Sequence, residues 1–359
     1  MLRALVHEEE VMNISGRRTS SERFAALRVS LIAGLCFALA CVPAAMPASA
    51  RPVESISAGR APKAYIALHD GGALAVLDTG TNRVLGYIPV SLDPSGLAVT
   101  PDGHKVYVGS DEVSTVGVVD TATDRIAARI EVGRSPRGLS ISRDGRRLVV
   151  SVWGADEVVI VDTTTDRITG RVPIVKPDRS AISPDGRIAY VGSTSLDNPA
   201  LAIVDLTRSA KIGKVALSHA PGALAFSPDG KSLYFTVEGV DSLQILDTGR
   251  NEVVGEVPAG ASPHGLLASS AAHGELIVSR LRNELEILDP VRNTVSGIVT
   301  VGRLPHGIAT SADERTVYVT NEGSGDLSVI DLVDRKVVAT VSIDTIGGTP
   351  REIVVQPPP

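Results

Sequence analysis

Cysteine is nearly absent from this 359-residue chain, and both copies, Cys36 and Cys41, fall within the first fifty residues. Beyond that stretch there is no disulfide, thiolate nucleophile, cysteine-ligated zinc or covalent c-type haem. Aromatic residues make up only 3% of the chain, too few for a carbohydrate-stacking platform. An excess of basic residues is also missing. The net charge is −6, and such a chain has no electrostatic footprint for nucleic acid. The longest apolar run, Val29–Val42, is too short to span a bilayer comfortably. Seven histidines, one of them near the N-terminus, leave no room for a many-histidine copper cluster.

What the first fifty residues do contain is an export signal. Arg17, Arg18, Arg23 and Arg28 precede the apolar run, and the small-residue site Ala48-Ser49-Ala50 follows it. Residues 1–50 are therefore expected to be a signal peptide cleaved near Ala50, with Met12 a possible true start because Glu8-Glu9-Glu10 is foreign to such a segment. Arg17-Arg18 lacks the rest of a twin-arginine motif, and Cys41 departs from the lipoprotein pattern. The leader carries five basic and four acidic residues of the chain's 35 and 41, so the mature remainder has 30 against 37, or −7. A periplasmic, extracellular or cell-surface protein follows, with no transmembrane segment in the mature chain. Residues 51–63 read as a linker.

From residue 64 to 357 one unit repeats. Asp78, Asp120, Asp162, Asp205, Asp247, Asp289 and Asp331 recur every 42 or 43 residues. Each copy has strand-like content and lacks apolar positions three and four apart, which predicts propeller blades and excludes helical solenoids. Each unit starts on a Pro-x-Gly strand such as Pro136-Arg137-Gly138 and turns through Pro101-Asp102-Gly103 or its equivalent. There proline presets φ and glycine accepts positive φ. The third strand, as in Val158-Val159-Ile160-Val161, is apolar throughout and so buried on both faces. The repeated Asp-Thr that closes it is read as a turn cap. The fourth strand alternates, and Pro89, Pro173 and Pro258 place it at an edge, so the Pro-x-Gly strand is innermost.

The fold class is thus all-β, a seven-bladed β-propeller of four-stranded antiparallel blades. The first strand, Ala64-Tyr65-Ile66-Ala67, is of the second kind, and the last, Arg351-Glu352-Ile353-Val354-Val355, is of the first kind. The C-terminal strand should join the N-terminal blade and close the ring into one monomeric domain.

Val317-Tyr318-Val319-Thr320-Asn321 followed by Ser328-Val329-Ile330-Asp331, with Pro305-His306-Gly307 upstream, resembles the YVTN-type β-propeller repeat over about residues 64–357. The repeat is also similar to the propellers of the nitrite reductase haem domain and of quinoprotein amine dehydrogenase. The resemblance implies a periplasmic or surface setting; by itself it implies no cofactor.

Function is expected where inner-strand starts meet the loops between second and third strands. The residue inside Pro-x-Gly differs from blade to blade: Ser95, Arg137, Gly222, His264, His306 and Arg351, with Pro177-Asp178-Arg179 irregular. Arg137, His264, His306 and Arg351 are the candidate ligand-binding residues, with His264 and His306 the candidate metal ligands. The loops contribute His69, Asp70, Asp111, Glu112, Trp153, Asp156, Glu157, Glu238, Asp241, Arg282, Glu322 and Asp326, scattered charges with no evident register. Trp153 reads equally as local packing or as a partner anchor. No catalytic triad, phosphate loop or haem-attachment motif is present, so no cofactor is evident. The leading reading is a non-enzymatic scaffold binding a partner protein or small ligand at the channel mouth. Two rivals use the same mouth: a haem-like or quinone cofactor handler, and a metal-dependent lyase or lactonase with Glu322 beside the histidines.

Overall fold

The computed structural model describes residues 62–358 apart from 238, 269–273, 290, 291, 293 and 344–346. The expected leader and nearly all of the expected linker lie outside the described residues. The first strand starts at Lys63, so the linker expected to reach residue 63 yields its last residue to the domain.

Seven four-stranded antiparallel sheets form the ring. The inner strands are Pro94–Val99, Pro136–Ile141, Pro177–Ile182, Pro221–Phe226, Pro263–Ala268 and Pro305–Thr310 in blades 2 to 7. Blade 1 takes its inner strand from Thr349–Val355, which pairs with Lys63–His69. Ala64 faces Val355, Tyr65 faces Val354 and Ile66 faces Ile353, so the ring closes as the strand order predicts. The inner strands of neighbouring blades lie beside one another, while each fourth strand is outermost.

The core is a set of apolar layers between blades, because third strands such as Glu157–Asp162 bury their four central residues on both faces. Ile66 and Leu68 of blade 1 meet Tyr318 and Leu327 of blade 7, while Tyr65 and Val76 on the opposite face meet Val106 and Val108 of blade 2. Outer strands alternate in exposure, as Arg125–Glu131 shows. No helix among the described residues is long and apolar enough to cross a membrane.

The repeated aspartates are turn caps. Asp78 Oδ1 accepts the amides of Gly80 and Thr81 at 2.9 Å each. Asp162 does the same for Thr164 and Thr165, and the Thr164 hydroxyl leads the contacts that hold its carboxyl below the usual range.

At the end of the ring opposite the mouth, a second-strand lysine and tyrosine reach an aspartate of the next blade. Lys63 Nζ donates to both oxygens of Asp124, at 2.7 and 2.9 Å, and Tyr65 Oη donates to Asp124 Oδ1 at 2.7 Å. The motif returns one blade on, where Lys105 and Tyr107 hold Asp166 at 2.8 and 2.7 Å. Burial, then Asp124 itself, drives the Tyr65 hydroxyl well above its ordinary pKa, so it stays a donor.

Candidate functional site

Every inner strand begins at the mouth, and the glycine of Pro-x-Gly is there for clearance. A Cβ on Gly138 would lie 1.9 Å from the Asp178 carbonyl oxygen, and one on Gly307 2.2 Å from that of Arg351. In three blades another residue stands in place of that glycine: Arg179 in blade 4, Ala223 in blade 5 and Glu352 in blade 1. Two of these meet. Arg179 Nη2 donates to Glu352 Oε1 at 2.6 Å, joining residues 173 positions apart.

That pair lines a cavity of about 670 Å³ together with Asp178, Thr236, His264, Arg280 and His306. Leu97, Leu139, Leu224, Leu266 and Ile308 supply its apolar surface.

His264 and His306, one blade apart, stack with ring centroids 4.0 Å apart at 42°. Burial leads in pulling both well below the ordinary imidazole pKa. For His306 the guanidiniums of Arg179, Arg351 and Arg280 add to it, and for His264 the neighbours His306 and Arg179 do. Both rings are therefore neutral at pH 7, each able to donate from one nitrogen and accept at the other. His306 Nδ1 lies 3.6 Å from Glu352 Oε1 and has no hydrogen-bond partner.

The structure groups the four candidate residues only in part. His264 and His306 come together as expected. Arg351 instead holds Glu322, its Nε and Nη2 donating to Oε1 at 3.0 and 2.7 Å, while Arg280 donates to Oε2. Glu322, expected as a possible lyase carboxylate, is thus engaged by two arginines. Arg137 lies apart from the imidazoles; its Nε donates to Asp111 at 2.9 Å and its guanidinium covers the Trp153 ring at 4.3 Å. Lys176 stands 4.2 Å from the same ring, whose Nε1 donates to Thr194 at 3.3 Å, so Trp153 is packed locally. No third His, Asp or Glu among the described residues joins His264 and His306 within metal-ligand reach.

Arg179 and Glu352 are cavity-lining residues that the sequence reading passed over. Their signal was present as the loss of glycine from Pro-x-Gly at two blades. The loop residues, expected to be scattered, also have a register. His69 ends a second strand and Asp111, Trp153, Thr194, Arg280 and Glu322 each follow one; with Glu238 of the sequence they recur 41 to 44 residues apart. The described members form a second ring around the mouth, and Asp111–Arg137, Trp153–Thr194 and Arg280–Glu322–Arg351 are its contacts. Other loop carboxylates cap backbone: Asp156 accepts the Lys176 amide at 2.9 Å, and Asp241 accepts that of Ser262 at 3.0 Å.

Comparison with known proteins finds no matching family model and no matching curated protein. Among solved structures, the chain is similar to Kuenenia stuttgartiensis hydrazine synthase, with TM-score 0.69 and 22% identity over 74% of this chain and 91% of that one. Similarity to dihydro-heme d1 dehydrogenase NirN in complex with DHE has TM-score 0.64 and 14% identity, covering 86% of this chain and 79% of the other. Citrobacter koseri AztD matches with TM-score 0.63 and 16% identity, over 83% and 98%. At these identities the likeness concerns the propeller fold.

Proposed function

We propose that this chain is an exported propeller of the YVTN-repeat type that binds a small, partly apolar acidic molecule in its channel mouth without transforming it. The observation that carries the reading is Arg179. It gives one nitrogen to Glu352 and lines the same cavity as two neutral imidazoles. A guanidinium has five N–H donors in a fork that suits carboxylate or phosphate. Neutral His264 and His306 add hydrogen-bonding edges, and the aliphatic side chains accept an apolar body. The NirN neighbour, whose structure holds DHE, is a precedent for a small molecule on a protein of similar fold. Export rests on the leader sequence. The lyase reading has no support from the geometry, because Glu322 is engaged by Arg280 and Arg351.

The test is to purify the protein from its native compartment and record native mass spectra for wild type, Arg179→Ala and His306→Ala. The expected result is a bound small molecule on wild type that is depleted in both variants. A ligand-free channel in protein that copurifies with another polypeptide, indifferent to both substitutions, would sink the proposal.

A further inference from the structure

We propose that blade 1 carries a divalent-cation site on the rim of the mouth, formed by His69, Asp70 and Asp93 and suited to a transition ion of the Zn²⁺ class. The proposal does not depend on what the channel binds.

The argument starts from the second ring. Of its described members, Asp111, Trp153, Thr194, Arg280 and Glu322 all have partners within the ring or on an adjoining inner strand. In blades 2 and 7 the partner is the Pro-x-Gly residue of the next blade, Arg137 for Asp111 and Arg351 for Glu322. For His69 that residue is Ser95, whose hydroxyl turns to the Pro136 carbonyl at 3.5 Å. His69 is left with two carboxylates. Its Nε2 is 3.8 Å from Asp70 Oδ1, and its Nδ1 is 3.9 Å from Asp93 Oδ1. Nδ1 is buried and makes no hydrogen bond.

Asp93 is equally particular to this blade. The residue before the inner-strand proline has positive φ in five blades, as Asp93, Ser135, Lys176, Ser262 and Leu304. Only Asp93 among them brings a carboxylate. In blades 3 and 6 the loop before the third strand caps this residue's amide, Asp156 to Lys176 and Asn283 to Leu304 at 2.9 Å each. Blade 1 has Gly72 at that loop position, and the bond runs in reverse, from the Asp70 amide to Asp93 Oδ1 at 3.2 Å. Asp93 is thereby turned toward the loop, and among the described residues none donates a hydrogen bond to the Asp70 carboxylate, whose nearest charged neighbour is His69 Nε2 at 3.8 Å.

A second unpaired group borders the cluster. Thr349 stands opposite His69 in the closure register, and its Oγ1 is buried without a partner. The donor atoms of His69, Asp70 and Asp93 lie within 4.8 Å of one another. Ligands at about 2.0–2.2 Å from one ion lie somewhat closer together, so a small side-chain adjustment brings all three onto it. One imidazole and two carboxylates favour Zn²⁺, Co²⁺ or Mn²⁺ over the all-oxygen preference of Ca²⁺ and Mg²⁺. Three protein ligands leave a fourth position for water or an outside group.

The experiment is a calorimetric ZnCl₂ titration of EDTA-treated protein, with His264→Ala/His306→Ala as the background that removes the channel imidazoles. One equivalent of Zn²⁺ should bind both to wild type and to that background. His69→Gln or Asp93→Asn should weaken it by at least about tenfold, since even outer-sphere losses at metal sites reach that size. Each variant is also melted in EDTA and in Zn²⁺. A wild-type melting temperature in EDTA with no rise on Zn²⁺ addition would place the defect at the site and not in the fold. Absence of binding to wild type, loss of binding only in the channel background, or unchanged affinity in His69→Gln would each overturn the proposal.

Discussion

Replacing Asp124 by alanine strands a buried lysine at the seam between blades 1 and 2. In the native protein the Asp124 side chain is 2% exposed and Lys63 11%. Lys63 Nζ would retain only the Thr121 carbonyl, and the Tyr65 hydroxyl would lose its acceptor. Breaking a buried pair on one side costs about 3–5 kcal/mol, because the remaining charge is left uncompensated. At roughly 2 °C per kcal/mol for a chain of this size, the melting temperature should fall by about 6–10 °C. The equivalent change one blade on is the internal control. Lys105 and Asp166 make the same contacts with side chains 30% and 22% exposed, so water replaces part of what is lost and Asp166→Ala should cost closer to 1 kcal/mol. Calorimetric melts of both variants at pH 7 supply the comparison. A Lys63→Met/Asp124→Leu double variant should recover most of the loss, since removing both charges together leaves neither unpaired. Equal losses for Asp124→Ala and Asp166→Ala, or a double variant as unstable as the single, would refute the reasoning.

Two further outcomes follow from the same physics. Deleting residues 349–359 removes the inner strand of blade 1, including Pro350 and Ile353, which are buried, and exposes the pairing edge of Lys63–His69. Buried side chains of this size contribute about 1.5–3 kcal/mol each, so the truncated protein should melt many degrees lower; a midpoint within a few degrees of the intact protein would contradict closure through this strand. Glu286, buried in the third strand of blade 6, has a raised pKa, chiefly through burial. An acid whose folded-state pKa lies above its unfolded value contributes nothing adverse below the unfolded pKa, near 4.5, and becomes destabilising as pH rises through the folded value. Glu286→Gln should therefore stabilise at pH 7 and lose that advantage toward pH 4, as parallel melts across pH would reveal. Gln244 already occupies the equivalent position in blade 5.

The fold was legible in the sequence because its determinants are local and repeated. A Pro-Asp-Gly turn, an Asp-Thr cap and an apolar third strand each state their geometry within a few residues, and seven copies average out the exceptions. The candidate site was legible only where it obeyed the repeat. His264 and His306 could be seen to share a position in adjacent blades. Arg179 and Glu352 meet because the ring carries blade 4 and blade 1 to one channel, a relation that no local pattern contains. Their mark was negative, a glycine missing where backbone clearance demands one elsewhere. The set from His69 to Glu322 could have been counted at the repeat period, but side chains this varied at one loop position look like noise until their partners are known. Trp153, ambiguous in sequence, became local once Arg137 and Lys176 were found against its ring.

The closure of blade 1 also bears on how the chain could be rewired. The Gln356 amide donates to the Lys63 carbonyl at 2.7 Å, and Ala64 lies opposite Val355. The two ends of the ring therefore sit side by side, close enough for a short peptide to join them. A chain so joined and reopened between the outer strand of one blade and the inner strand of the next would contain the same seven sheets in the same circular order. Such permutants would move the chain break from the end of the ring beside Lys63 to the mouth of another blade, where an outer strand runs into the next inner strand. The propeller has a start and a finish as a polypeptide, but as a packed object it has neither.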